Sequence, residues 1–113
     1  MTDKVVIVLG AKGFIGRYVS KELSRLGIKV IGIGHGKWDK EFRRFGLNRW
    51  QDSEITIESI KKSIHSNETL HSIIHCAGTG TVASAYSDPR TEFQRTVDST
   101  SSALEFVRLF QPS

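Results

Sequence analysis

Apolar residues along this chain fall into three short runs, separated by stretches with helical spacing. The first run, Val5-Val6-Ile7-Val8-Leu9, is unbroken and rich in β-branched side chains, as in a strand buried on both faces of a parallel sheet. From Phe14 onward, Ile15, Val19, Leu23 and Leu26 recur at three- or four-residue intervals, with Arg17, Lys21, Glu22 and Arg25 on other faces. This predicts an amphipathic helix, and Gly27 supplies its stop. A second run, Val30-Ile31-Gly32-Ile33, predicts the next strand.

Beyond it the pattern is less regular. Phe45 to Trp50 is a short candidate for a third strand. A helix is expected from an N-cap at Thr56, with Ile57, Ile60 and Ile64 on one face and Lys61 and Lys62 exposed. Ser72-Ile73-Ile74-His75-Cys76-Ala77 reads as a buried strand leading to Gly78. Asp88-Pro89 has the form of an N-cap followed by proline at the first helical position. Phe93, Val97, Leu104, Val107 and Phe110 then give the last helix an apolar side. Strands alternating with helices predict an α/β fold: a Rossmann-type, doubly wound parallel sheet with right-handed crossovers, truncated after about four strands. At 113 residues the chain makes one domain, 1–113.

The junction between the first strand and helix carries candidate chemistry. Gly10, Gly13 and Gly16 are spaced three apart in Gly10-Ala11-Lys12-Gly13-Phe14-Ile15-Gly16. In a strand–turn–helix of this kind the first glycine permits the tight turn. The second lets a pyrophosphate approach the backbone, and the third lets helix and strand pack closely. The first-turn N–H groups, around Phe14 and Ile15, then face the phosphates, helped by the helix dipole. A plain corner without ligand is the alternative, and the strand and helix on either side favour the dinucleotide. A Walker A loop is excluded, because no Gly-Lys-Ser or Gly-Lys-Thr closes the run. Ala77 to Gly80 falls at the same sheet end, beside the switch point where such sheets bind ligands.

Composition narrows the picture further. No apolar stretch approaches the length of a membrane span, and Val5 to Leu9 is too short for a secretory core. The single cysteine, Cys76, leaves no internal disulfide and suits a reducing, cytoplasmic location. His35, His65, His71 and His75 show no metal-ligand spacing, so no metal is expected. The net charge is +4, with Lys37, Lys40, Arg43, Arg44 and Arg49 interleaved with Trp38, Phe42, Phe45 and Trp50. Such a patch suits a solvated surface over packed rings, or a pocket for a phosphate-bearing ligand. Nucleic acid ranks last, since no nucleic-acid motif accompanies it.

The glycine run with Phe14-Ile15, the segment Ile73-Ile74-His75-Cys76-Ala77-Gly78, and Asp88-Pro89 with Phe93 together resemble the extended short-chain dehydrogenase/reductase family. The similarity is to its NAD-dependent epimerase/dehydratase branch, which acts on nucleotide sugars, and it runs from Lys4 to about Phe110. The resemblance implies an NAD(P) cofactor, a nucleotide-sugar substrate in the full-length protein and a homodimer. It also implies a Tyr-x-x-x-Lys catalytic pair. Neither Tyr18 nor Tyr86 has a lysine four residues on, so no catalytic residue is assigned. The chain is expected to be the N-terminal part of such an enzyme, inactive by itself, or else a non-catalytic NAD(P)-responsive module.

In NAD-preferring relatives an acid ends the second strand and holds the ribose 2′-hydroxyl. Here that position is Gly34, followed by His35, Gly36 and Lys37, which tilts the expectation toward NADP; Asp39 is the acid that could restore NAD preference. Asp52 and Glu54 compete for the place near the adenine amino group. The resemblance puts the backbones of His75, Ala77 and Gly78 beside the cofactor ribose, with the His75 side chain structural. Thr96 stands where relatives carry an asparagine that organises the active site, and Ser84 lies in a loop where relatives contact substrate.

Overall fold

The computed structural model describes residues 3–78 and 87–110. Gly80, Ser84 and Tyr86 lie outside the described residues. The elements follow in the order β1 (Asp3–Leu9), α1 (Phe14–Arg25), β2 (Lys29–Gly34), a 3-10 helix (Lys40–Phe45), β3 (Leu47–Asp52), α2 (Ile57–Ser63), β4 (Glu68–His75) and α3 (Pro89–Phe110). All strand pairings are parallel, and the order across the sheet is β3-β2-β1-β4. The order of strand addition therefore reverses between β1 and β4, at the expected switch point.

Val5 to Leu9 of β1 are buried throughout, because β1 is central and covered on both faces. Alternate residues serve two cores. Val5, Ile7 and Leu9 join Ile31 and Ile33 under Ile60 of α2 and Ala103 and Phe106 of α3. Val6 and Val8 join Val30, Leu47 and Trp38 under Val19 and Leu23 of α1. Trp38 also meets Phe42, Phe45 and Trp50 ring to ring, so the aromatics of the basic segment pack inward and leave Lys37, Lys40, Arg43 and Arg44 exposed.

Local signals act where expected. Gly27 has φ +84° just past the end of α1. Thr56 caps α2 in a reciprocal pair: its hydroxyl accepts from the Ser59 amide, and the Ser59 hydroxyl accepts from the Thr56 amide. The Asp88 carboxylate accepts from the Thr91 amide at the start of α3. Boundaries shift at the edges: β3 runs from Leu47 to Asp52 rather than ending at Trp50, and β4 begins at Glu68, four residues before Ser72. On α3, Phe93, Val97, Leu104, Val107 and Phe110 are exposed, and the helix contacts the core through Ala103 and Phe106. Among the described residues no helix is long and apolar enough to cross a membrane.

Candidate functional site

The site is assembled at the C-terminal ends of β1, β2 and β4. β1 turns at Gly10, whose φ of +76° suits glycine and whose amide donates to the Ile33 carbonyl at 2.7 Å. The Gly13 amide donates to the Gly10 carbonyl at 3.1 Å, closing the loop. Arg17 braces it from α1: its guanidinium donates to the Lys12 carbonyl at 2.7 and 3.1 Å and lies over the rings of Phe45 and Trp38. Gly13 is the N-cap of α1 and offers no side-chain acceptor to the first-turn amides. Those amides have no partner within the helix, so an anion is the fitting acceptor.

Glycine content separates internal from external demands. A Cβ on Gly16 would lie 2.2 Å from the Gly10 carbonyl oxygen, and one on Gly10 would lie 2.5 Å from the Ala77 Cα. Helix, turn and the β4 end are thus pressed together. At Gly34 a Cβ would lie 2.8 Å from the Trp50 ring, so packing accounts for the missing acid there. Gly13 has neither reason. Its φ is −68°, and its Cβ would meet the nearest described atom at an ordinary 3.4 Å. Gly78, at the other loop, has no described atom within 4 Å. Both are exposed on the same end of the sheet.

A cleft of about 310 Å³ opens beside them, lined by His35, Glu54, Ala77 and Gly78 with Arg95 and Asp98 of α3. A wider depression of about 720 Å³, beside Asp3, Lys29 and Asn48, lies at the opposite end of the sheet and touches neither glycine loop. The turn after β2 is held by β3: the Asp52 carboxylate accepts from the Gly36 amide at 2.9 Å, and the Trp50 indole donates to the Gly36 carbonyl at 3.0 Å. Asp52 is thereby turned toward the β2 turn, and Glu54 faces the cleft, 3.4 Å from His35 Nε2. The Lys12 ammonium lies 2.8 Å from the point a Cβ on Gly36 would occupy.

The structure thus gathers Gly10, Gly13, Phe14, Ile15, Gly16, Ala77 and Gly78 around one loop pair, with Gly34, His35, Lys37 and Asp52 at the neighbouring strand end. Phe14 and Ile15 contribute backbone there, and their side chains are exposed. Lys12, Arg95 and Asp98 were not singled out from the sequence as site residues. Lys12 had a signal, a cation between two glycines of the loop after β1. Arg95 and Asp98 had none, since only the packing of α3 brings them to the cleft. Burial raises the pKa of the Cys76 thiol, consistent with a packing role. Among the described residues no group of His, Cys, Asp and Glu could hold a metal ion.

A family model, the NAD dependent epimerase/dehydratase family, matches residues 6–113. The chain belongs to this family. No curated protein sequence matches this member of the epimerase/dehydratase family, but solved structures do. A UDP-glucose 4-epimerase superposes with a TM-score of 0.78 at 16% identity, covering 98% of this chain and 33% of that one. UDP-glucose 4-epimerase from Brucella ovis in complex with NAD gives 0.73 at 23%, covering 97% and 33%. L-threonine dehydrogenase from Clostridium difficile gives 0.73 at 18%, covering 100% and 35%. At these identities the likeness is one of fold. This epimerase/dehydratase family chain spans about a third of the length of those solved structures.

Proposed function

We propose that residues 1–113 form the NAD(P)-binding Rossmann domain of a nucleotide-sugar epimerase, dehydratase or reductase, and that the chain binds the cofactor without carrying out chemistry by itself. The observation that carries this reading is Gly13: nothing among the described residues requires glycine there, whereas a close-lying pyrophosphate does. The amides of Phe14 and Ile15 would receive the diphosphate. Ala77 and Gly78 would flank a ribose, and the cleft beside Glu54 suits the adenine. The cofactor supplies a hydride acceptor or donor when bound; this chain holds and orients it.

Lys12 lies beside the turn that follows β2, His35 and Lys37 stand on that turn opposite the carboxylates of Glu54 and Asp52, and no carboxylate occupies position 34. This supports a preference for NADP, with the 2′-phosphate received there. The exposed apolar side of α3 supports self-association. Calorimetric titration with NADP⁺ and NAD⁺ tests the reading. Binding of both, tighter for NADP⁺, is expected. No affinity for either overturns the assignment, and tighter NAD⁺ binding overturns the preference.

A second reading, a non-catalytic NAD(P)-responsive module, draws on Thr96. Its hydroxyl donates back to the Glu92 carbonyl of its own helix at 3.0 Å, turned into α3. Sugar-nucleotide turnover by the full-length protein would remove that reading.

A further inference from the structure

β4 ends at His75, and both of its ring nitrogens are engaged. The Ala77 amide lies 3.3 Å from Nδ1, and Nε2 lies 2.9 Å from Thr100 Oγ1 on α3. A backbone N–H can only donate, so Nδ1 is the unprotonated acceptor and the ring proton sits on Nε2, facing Thr100. One residue further on, the Cys76 amide donates to the Leu9 carbonyl at 2.8 Å. Ala77 Cα is the atom that a side chain at Gly10 would strike. The ring therefore fastens the segment that walls the phosphate turn, and ties it to α3.

We infer that His75 is a positioning residue for the dinucleotide site, holding Ala77 and Gly78 in place only as the neutral imidazole, so that acid weakens cofactor binding. This rests on the dinucleotide reading above. Protonation places a second N–H on Nδ1, opposite the Ala77 amide. Two donors then face each other, the amide loses its acceptor, and the Ala77–Gly78 segment loses its anchor against Gly10. Among the described residues, the charged and titratable groups lining the cleft beside Ala77 and Gly78 are Arg95 and Asp98 on α3 and the His35–Glu54 pair, with Cys76 adjoining on the chain. Leu9, its register partner on β1, is apolar. Burial alone pushes the ring's pKa below its ordinary value, so the neutral form prevails at neutral pH.

Calorimetric titration with NAD⁺ between pH 8 and pH 5 tests the inference, because the pyrophosphate keeps its charge across that range and no 2′-phosphate titrates. Wild type should lose roughly 5- to 20-fold in affinity as the ring protonates, the weight of one hydrogen bond lost and one donor left opposed. His75→Asn keeps an acceptor within reach of the Ala77 amide and cannot protonate, so its affinity should stay flat with pH. His35→Gln should retain the acid loss, which separates the two histidines. A flat wild-type profile, or an acid loss in His75→Asn equal to wild type, overturns the inference. Nitrogen-15 spectra of His75 read the tautomer without any ligand. Protonated Nδ1 at pH 8 overturns the inference even if no dinucleotide binds, whereas absent binding with protonated Nε2 counts against the dinucleotide reading instead.

Discussion

Arg49 on β3 grips Glu68 on β4 with two hydrogen bonds of 2.6 and 2.9 Å, although β2 and β1 lie between those strands in the sheet. The Glu68 side chain is fully buried, and Lys29 at 2.8 Å and the His65 amide at 2.9 Å complete its shell. Arg49 also donates to the Ser63 carbonyl at the end of α2. One carboxylate thus ties β2, β3 and the α2–β4 connection together at the end of the sheet remote from the glycine loops.

Among the described residues, removing that charge leaves Arg49 without a carboxylate partner and Lys29 with only Asp3, 3.6 Å away. Glu68→Gln should lower unfolding free energy by about 3–5 kcal/mol, measured by urea denaturation. The Arg49 hydrogen bonds hold the Glu68 carboxyl well below the usual carboxylate range, with help from Lys29 and against the pull of burial. Its contribution is therefore full above the unfolded value, near 4.3, and is lost as pH falls further. Wild type should lose stability steeply in acid, and Glu68→Gln should show a flatter profile over the same window.

Gly13 and Gly16 should separate binding from folding. Gly16→Ala drives a Cβ into the Gly10 carbonyl and should cost about 2 kcal/mol or more, read as a lower melting temperature. Gly13→Ala should change stability by less than about 1 kcal/mol, the scale of an N-cap substitution. It should nonetheless weaken dinucleotide binding about tenfold or more, measured by calorimetry.

Lys12 should discriminate between cofactors. If the β2 turn receives a 2′-phosphate, Lys12→Gln should remove one charge-assisted hydrogen bond to it, worth about 1.5–3 kcal/mol. NADP⁺ affinity should fall about tenfold or more, with a weaker salt dependence, and NAD⁺ affinity should change far less. Equal losses for both cofactors would place Lys12 on the pyrophosphate instead.

The central β-α-β unit was legible because burial on both faces leaves its mark as unbroken apolar runs, and the glycine loop because turn, strand and helix signals agree. The edges were not. β4 starts at a glutamate that reads as loop until Arg49 and Lys29, distant in sequence, are seen to neutralise it. β3 carries that same arginine in place of an apolar residue. On α3 the periodicity marks the side holding Phe93, Val97 and Leu104, yet the sheet takes Ala103 and Phe106, a choice made by packing against α2 and β4. At the site, the strand-end glycine at 34 was visible, but its partner Trp50, which fills the space of the missing acid, was not.

Amide shift mapping with NADP⁺ addresses the central claim directly. If the loop after β1 holds a diphosphate, the resonances of Gly13, Phe14, Ile15, Gly16, Ala77 and Gly78 should move in a saturable way, while those of Asp3, Lys29 and Asn48 at the far end stay still. A folded sample in which the glycine-loop amides do not respond to either dinucleotide at millimolar concentration would contradict the account.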